Sequence, residues 1–308
     1  MLLYILILLG GFIALYLGAK LLIRGGTGFA TAMRVKPILI GLTVVALGTS
    51  LPELTVGVVS ASKSVPGLSI GNIIGSNICN ILLIFGVMSL IRPLRVSDSS
   101  QRGEMPAVLA SGALLWIFAA DGQINRLDSI VLLVAFCTFL GHLWTSMKTR
   151  FSAIGQPITP KRKGIYLLML PLGLALLIFG GWACVKGGTN IAEFIGVPKY
   201  IIGLTIIAIG TSLPELAIGI LASIKGQSDI PIGNTLGSNI FNSLGIVGVM
   251  GVIQPFSVDA ELLSFSLPVM LAASIAFLPL AKSGMKLSRL EGAGFIVGYV
   301  VYIVALIV

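Results

Sequence analysis

Two glutamates, Glu53 and Glu215, lie within long apolar segments and are the first candidates for chemistry. Each follows the same five residues, in GLTVVALGTSLPEL at 41–54 and in GLTIIAIGTSLPEL at 203–216. The other nine acids of the chain lie in or beside the predicted connections between apolar segments. A charge at the centre of a membrane helix costs roughly 2.5 to 3.5 kcal/mol on insertion scales. Two such acids therefore need a compensating partner.

The neighbouring motifs contain no Lys, Arg or His that could neutralise the two glutamates. A cation from solution is therefore the expected partner, and a pair of protonated, hydrogen-bonded glutamic acids is the alternative. Pro52 and Pro214 immediately precede the acids. Because a proline cannot donate a hydrogen bond to the carbonyl four residues earlier, each helix should kink or open at 48–50 and 210–212. Irregular backbone at membrane depth is tolerated where it is buried or lines a cavity.

A second polar motif also occurs twice, as IGNIIGSNICN at 70–80 and IGNTLGSNIFN at 232–242. Its polar residues at four-residue spacing are Asn72, Ser76 and Asn80 in the first copy and Asn234, Ser238 and Asn242 in the second. This spacing places each set on one face of a helix. Hydrogen bonds between helices could explain the first asparagine of each set. For the serines and the last asparagines we favour ion coordination.

The candidate ligands are carboxylate, carbonyl, hydroxyl and amide oxygens, which suit hard cations such as calcium or sodium. Two bidentate glutamates and two threonine carbonyls would supply six oxygens, within the range of six to eight that calcium takes. Cys79, Cys137 and Cys184 have no CxxC spacing, and His142 has no counterpart in the other motif copy. We therefore expect no disulfide, no zinc or copper site and no bound cofactor.

The composition indicates an integral membrane protein. Of the 308 residues, 56% are hydrophobic and 10% are charged, and the mean hydropathy is +1.06, whereas soluble domains carry about 25% charged residues. No separate soluble domain or nucleic-acid surface is expected from the net charge of +9. The predicted spans are 1–19, 37–62, 64–91, 105–120, 129–147, 164–185, 200–224, 230–258, 262–281 and 292–308.

Basic residues are distributed unequally between the two sets of connections that ten spans create. One set carries fifteen Lys and Arg residues and the other carries four. By the positive-inside rule the richer set is cytoplasmic, which places both termini outside. The longest connection, 148–163, is then a cytoplasmic linker.

The chain is an internal duplication in which position 41 corresponds to position 203 and position 53 to position 215. We call this constant displacement the repeat offset. Without a gap, residues 40–93 and 202–255 share 29 identities in 54 positions. The predicted halves, 1–147 and 164–308, each carry five spans. Because five is odd, the second half must enter the membrane from the opposite side.

The expected fold is therefore all-α, with ten transmembrane helices arranged as two inverted-topology five-helix repeats. Transporters with this architecture bind their substrate near the midplane, where broken helices of the two repeats meet. The paired motifs at the two chain breaks are thus the expected site.

The paired GTSLPE and GNxxGSN motifs closely resemble the two alpha repeats of the calcium/cation antiporter superfamily, in particular its prokaryotic sodium/calcium exchanger branch. The resemblance implies calcium binding by the carboxylates of Glu53 and Glu215 and the carbonyls of Thr49 and Thr211. It implies sodium binding by the same acids together with Ser50, Ser76, Ser212, Ser238 and the carbonyls of Ala46 and Ala208. It also implies that helices one and six, here 1–23 and 164–186, slide across the remaining bundle.

The chain departs from some relatives at one position of the second repeat. Some archaeal members have Asp where this chain has Asn242, which matches Asn80 of the first repeat. We therefore expect a doubly acidic pocket lined by two asparagines. Potassium-dependent members carry a further acid in the second repeat, and its absence favours potassium independence.

These features predict a sodium/calcium antiporter of a prokaryotic cell membrane, with membrane lipids and the two ions as its partners and no obligate protein partner. A proton/calcium antiporter is the alternative, because the two glutamates could exchange protons for the metal. A channel is disfavoured by the inverted repeats, and no enzyme is expected. An intramembrane hydrolase would need a nucleophile with a base or a paired aspartate site, and the sequence has no G-x-S-x-G motif.

The inverted topology can be tested by labelling. In a variant without native cysteines, a cysteine near Gly155 should react only from the cytoplasm, and one at Gln123 only from outside. The physical reason is the fifteen to four distribution of basic residues. Accessibility to a membrane-impermeant maleimide in cells and inverted vesicles measures it, and labelling of both positions from one side would contradict the topology.

Overall fold

The computed structural model describes residues 1–62, 66–96, 103–149, 160–196, 208–282 and 286–307. The described chain is almost entirely helical. Its helices are α1 (Leu2–Met33), α2 (Pro37–Thr49), α3 (Leu51–Ser62), α4 (66–91), α5 (Glu104–Ala119), α6 (Arg126–Thr149), α7 (Pro160–Phe194), α8 (Ala208–Thr211), α9 (Leu213–Lys225), α10 (Asp229–Ile253), α11 (262–282) and α12 (Arg289–Ile307).

Six of these helices are long and apolar enough to cross a membrane, namely α1, α4, α6, α7, α10 and α12. The bent pair α2 and α3 would form a seventh span. Helix α5 and the stretch Leu262–Phe277 of α11 are shorter apolar helices. The prediction of a helical membrane protein is confirmed. Of the predicted linker 148–163, the two ends belong to α6 and α7, and residues 150–159 lie outside the described residues, as does the segment before α8 at 197–207.

Helices α4 and α10 form the centre of the bundle. In their most apolar stretches, 78% and 83% of the residues are buried, against 28% for α1 and 22% for α12. The outer helices expose large apolar side chains such as Leu6, Ile13 and Val301. Because lipid tails are as apolar as these side chains, such exposure costs little in a bilayer. The two helices that carry the GNxxGSN motifs are therefore the ones most enclosed by protein.

The chain breaks shortly before each glutamate, as the prolines predict. Helix α2 ends at Thr49, Ser50 has non-helical angles (φ −87°, ψ 9°), and α3 begins at Leu51. The two helices meet at 44°. In the second half, Ser212 has nearly the same angles (φ −90°, ψ 4°) between α8 and α9. The predicted kinks at 48–50 and 210–212 are confirmed.

In the described residues, four π-helical segments interrupt the helices, and the sequence patterns predicted none of them. They are Gly41–Val45, Cys79–Ile84, Phe241–Ile246 and Leu262–Ser266. The second and third correspond to each other under the repeat offset, like the motifs that they follow. Short π-helical segments occur frequently at functional sites. Here they shift the register of α4 and α10 just after the GSN tripeptides.

Two short antiparallel ribbons connect the halves at the ends of the helices. Strand β1 (Leu94–Arg95) pairs with β4 (Lys286–Leu287), and β2 (Gln123–Ile124) pairs with β3 (Phe256–Ser257). Each ribbon joins one strand from each half of the sequence. The strands of the first ribbon lie in connections that the basic-residue distribution assigns to the same side of the membrane. Strand β3 lies at the end of the predicted span 230–258, because α10 ends at Ile253.

Helices α1 and α7 pack closely along glycines spaced seven residues apart. The glycines are Gly11, Gly18 and Gly25 in α1 and Gly173, Gly180 and Gly187 in α7, which correspond under the repeat offset. A Cβ atom on Gly18 would lie 2.8 Å from the Gly173 carbonyl oxygen. Both helices extend beyond the predicted spans, since α1 continues to Met33 and α7 to Phe194.

Replacing a glycine of this contact should destabilise the protein. In Gly180→Ala, the new Cβ would lie 2.8 Å from the Leu15 backbone nitrogen, so the helices must separate. We expect a loss of about 1–3 kcal/mol, typical of overpacking, measured by thermal unfolding in detergent. Gly10→Ala is the control, because nothing lies within 4 Å of its Cβ position. Equal stability of the two variants would contradict the close α1–α7 contact.

Candidate functional site

The two chain breaks bring Glu53 and Glu215 into the interior beside α4 and α10. Their side chains are only 1% and 2% exposed. Each glutamate lies in the first turn of the helix that follows the break. The helix N-terminus carries a partial positive charge, which favours a carboxylate at this position. The two carboxylates are close enough for their charges to repel each other, so a site that holds both as anions favours a bound cation.

Each carboxylate accepts a hydrogen bond from the serine of the neighbouring GSN tripeptide. Ser76 Oγ lies 3.4 Å from Glu53 Oε1, and Ser238 Oγ lies 3.4 Å from Glu215 Oε1. Ser212 Oγ is 3.4 Å from Ser76 Oγ. This contact joins the chain break of the second half to the serine that binds Glu53. Three of the four predicted serines are therefore brought together around the acids.

The threonines before the breaks contact both the opposite glutamate and an asparagine of the other half. Thr49 lies beside Glu215 and Thr211 lies beside Glu53. The hydroxyl of Thr49 is 3.0 Å from Asn234 Oδ1. The hydroxyl of Thr211 is 3.4 Å from Asn72 Oδ1 in the corresponding contact. These contacts support the alternative that Asn72 and Asn234 hold helices together.

The remaining predicted residues belong to the chain breaks and to the central helices α4 and α10. Ser50 forms the first break and is 1% exposed. The carbonyl of Ala46, one turn earlier, accepts a hydrogen bond from the Ser50 amide at 3.1 Å. Ala208 is the first residue of α8. Asn80 and Asn242 lie in the π-helical segments of α4 and α10 and are each 1% exposed.

Several buried polar atoms of the site have no hydrogen-bonding partner among the described residues. They are Oε2 of Glu53 and of Glu215, Oγ of Ser50, Oδ1 of Asn80 and of Asn242, and Nδ2 of Asn72 and of Asn234. A buried polar atom without a partner costs about 1–3 kcal/mol, and more when it is charged. Five of the seven atoms are oxygens, and cations bind oxygens. The site is thus suited to cation binding.

The donor chemistry of the site favours hard cations over soft metals. In the described part of the chain, no three or more His, Cys, Asp or Glu side chains come together. Zinc and copper sites are typically made by thiolates and imidazoles, whereas carboxylates, hydroxyls and amides suit sodium, calcium or magnesium. His142 lies exposed on α6 and contributes nothing to this pocket.

Sequence reasoning missed two asparagines of this region, Asn77 and Asn239. They lie directly after the two serines that contact the carboxylates, and both are buried. Asn239 Oδ1 accepts a hydrogen bond from Asn80 Nδ2 at 2.8 Å, and Asn77 Oδ1 accepts one from Asn242 Nδ2 at 3.1 Å. Their identity in both repeats was visible in the sequence, but their position outside the four-residue stripe gave no reason to select them.

The chain is similar to known proteins in both its sequence and its fold. The chain is 31% identical over 341 aligned positions to the sodium/calcium exchanger MaX1 of Methanosarcina acetivorans, covering 98% of this chain and 97% of that protein. It is 34% identical to the inner membrane protein YrbG of Escherichia coli, covering 96% of each chain. A solved structure of the sodium-calcium exchanger NCX_Mj superposes with a TM-score of 0.88 at 30% identity, covering 99% of both chains.

The family described as sodium/calcium exchanger protein matches this chain twice, at residues 3–145 and 165–308. The two matched regions correspond to the halves identified from the internal duplication. With buried acids, broken helices and oxygen donors in equivalent positions of both halves, the chain belongs to the sodium/calcium exchanger protein family.

Proposed function

We propose that this chain is a secondary active antiporter that exchanges sodium for calcium across the membrane by alternating access. The observation that carries the proposal is the pair of buried carboxylates, Glu53 and Glu215, which lie close together without a basic partner in the described residues. Anions in this setting need cations to neutralise them. Structures of NCX_Mj soaked with Na⁺, Ca²⁺ or Sr²⁺ support cations as the ligands.

We propose that the apolar segments form ten spans in two inverted five-helix repeats, 1–147 and 164–308, joined by the cytoplasmic linker 148–163. The count of ten follows when α2 with α3, and α8 with α9, are each taken as one broken span. Strand pairing between the halves at both ribbons supports the inversion. So does the recurrence of the carboxylate contacts at the repeat offset. Both termini would lie outside a prokaryotic cell membrane.

For calcium we propose Glu53, Glu215 and the carbonyls of Thr49 and Thr211 as ligands. Both threonines end the helical segments that precede the breaks. The C-terminal end of a helix carries a partial negative charge, which favours a cation there. Two bidentate carboxylates and two carbonyls provide about six oxygens, which is enough for calcium.

For sodium we propose the same glutamates with hydroxyls from both halves. The hydroxyls belong to Ser50, Ser76, Ser212 and Ser238, and the carbonyls of Ala46 and Ala208 would complete the sites. The serines are all buried within the pocket. Neutral hydroxyls add coordination without adding charge, which suits a monovalent ion. This oxygen-rich lining favours sodium over the runner-up, in which the two glutamates exchange protons for calcium.

We propose that the exchange moves net charge and needs no potassium. Asn80 and Asn242 are neutral, so the two glutamates give the pocket a charge of about −2. One calcium ion cancels this charge, whereas three sodium ions, the number that the resemblance suggests, exceed it by one. An inside-negative potential would then contribute up to about 2.3 kcal/mol per 100 mV for each charge moved.

We propose that α1 and α7 move together to switch access between the two sides. Their glycine contact joins them closely to each other. Both are much less buried than α4 and α10, at 28% and 39% of their apolar stretches against 78% and 83%. A weakly enclosed pair beside a well-packed core can shift without disrupting the core.

Removing either carboxylate charge should abolish calcium binding without unfolding the protein. Glu53→Gln and Glu215→Gln keep the side-chain size but remove a charge that the ion-free protein must tolerate, so thermal stability without metal should be preserved or rise. Calcium stabilises the folded wild type by preferential binding, and this stabilisation should disappear. Thermal unfolding with and without calcium measures it. Glu291→Gln, outside the pocket, is the control, and unchanged calcium stabilisation in Glu53→Gln would remove Glu53 from the site.

Flux measurements should identify the counter-ion. In proteoliposomes with sodium and proton gradients imposed separately, sodium should drive calcium movement without potassium. An inside-negative potential set by an ionophore should accelerate sodium-driven calcium extrusion, because each cycle brings in excess positive charge. Calcium uptake that depends on a proton gradient, ignores sodium and is insensitive to voltage would support the proton/calcium alternative instead.

A further inference from the structure

Four buried asparagines connect α4 and α10 at the centre of the protein. They are Asn77 and Asn80 in α4 and Asn239 and Asn242 in α10, and none is more than 2% exposed. The 2.8 Å bond from Asn80 Nδ2 to Asn239 Oδ1 and the 3.1 Å bond from Asn242 Nδ2 to Asn77 Oδ1 exchange under the repeat offset. We call this set the amide clamp. Its symmetry indicates that both halves use it in the same way.

The outer members of the amide clamp, Asn77 and Asn239, have their own donors engaged. Asn77 Nδ2 donates to Ser243 Oγ at 2.8 Å, and Asn239 Nδ2 donates to the backbone carbonyl oxygen of Asn77 at 3.2 Å. Two of the groups around these amides can only accept, namely Met270 Sδ, 3.5 Å from Asn77 Nδ2, and the Asn77 backbone carbonyl. The NH₂ groups of Asn77 and Asn239 therefore face these acceptors, and their oxygens face the inner asparagines. The outer pair therefore has a defined orientation.

That orientation determines how the inner asparagines can point. Since Asn77 and Asn239 present oxygens, Asn80 and Asn242 must turn their NH₂ groups toward them. The oxygens of Asn80 and Asn242 then remain without a partner among the described residues. The amide clamp adjoins the ion pocket, because Asn77 and Asn239 directly follow the serines that bind the two glutamates.

We propose that Asn77 and Asn239 are positioning residues that hold the carboxamide oxygens, and not the NH₂ groups, of Asn80 and Asn242 toward the transported cation. This inference rests on the proposed antiport function. An asparagine can rotate its amide by half a turn with little change in shape, and the rotated form would present positively polarised N–H groups to a cation. The outer asparagines prevent this rotation because a rotated amide would place oxygen against oxygen.

A double-mutant cycle distinguishes a role of Asn239 in orienting the Asn80 amide from a role in packing. Asn239→Leu removes the acceptor that holds Asn80, so the concentration of calcium giving half-maximal thermal stabilisation should rise about tenfold, or about 1.4 kcal/mol. Asn80→Asp presents an oxygen in either orientation and needs no holding. In the Asn80→Asp background a carboxylate oxygen already faces the Asn239 oxygen, so Asn239→Leu removes an unfavourable contact and should not raise this concentration, a coupling that a purely structural role would not produce.

Two further variants complete the experiment. Ser274→Ala is the matched control, since Ser274 lines the same small cavity as Asn77 and Asn239 but donates to the Met270 carbonyl of its own helix. It should bind calcium like the wild type. Asn239→Ala removes the same acceptor without adding bulk and replaces the Leu variant if that variant does not fold.

The possible results distinguish failure of the proposed function from failure of the positioning role. Failure of calcium to stabilise the wild type would reject the proposed function itself. Normal calcium stabilisation of both the wild type and Asn239→Leu would overturn the positioning role alone. An equal loss on Asn239→Leu in the wild-type and Asn80→Asp backgrounds would also overturn it, because the loss would then come from packing.

Discussion

The structure depends on keeping two carboxylates, Glu53 and Glu215, in an interior where no other charged side chain of the described residues is buried. Each is almost completely buried, and their charges repel. Several arrangements lessen this cost. The glutamates begin helices, whose N-terminal dipoles favour negative charge, and each accepts a hydrogen bond from a serine of the adjacent central helix. The negative charge that these contacts leave without a neutralising partner attracts a cation.

The duplication gives each feature of the site a partner. Chain breaks, serine to glutamate contacts, threonine to asparagine contacts and the π-helical segments of α4 and α10 each recur at the repeat offset. Several of these contacts cross between the halves, so the pocket belongs to neither half alone. The threonine of one half meets an asparagine of the other, and the two halves pair strands at both ribbons. In the proposed alternating-access cycle, a site shared by two equivalent halves would allow both states to use similar contacts.

The packing differs sharply between the centre and the periphery. Helices α4 and α10 are enclosed by protein and linked by buried amide hydrogen bonds. Helices α1 and α7 instead contact each other through glycines and expose large side chains where lipid would lie. Close glycine contacts are a common means of helix association in membranes. This difference in packing fits the proposed movement of the outer pair, because the enclosed central helices that carry the ligands need not move with it.

The sequence by itself determined the membrane class, the duplication, the breaks before Glu53 and Glu215 and most of the polar residues around them. These features depend on local chemistry, because apolar length, proline geometry and the cost of an intramembrane acid act within one segment. Only the tertiary structure decided which polar atoms meet across the halves. In the folded protein, Asn72 and Asn234 contact the threonines that precede the breaks. Asn77 contacts Asn242, and Asn239 contacts Asn80. The π-helical segments that contain Asn80 and Asn242 each pack against the opposite central helix. Since that packing chooses hydrogen-bond partners that lie far apart in the chain, no regular spacing within one segment could identify them.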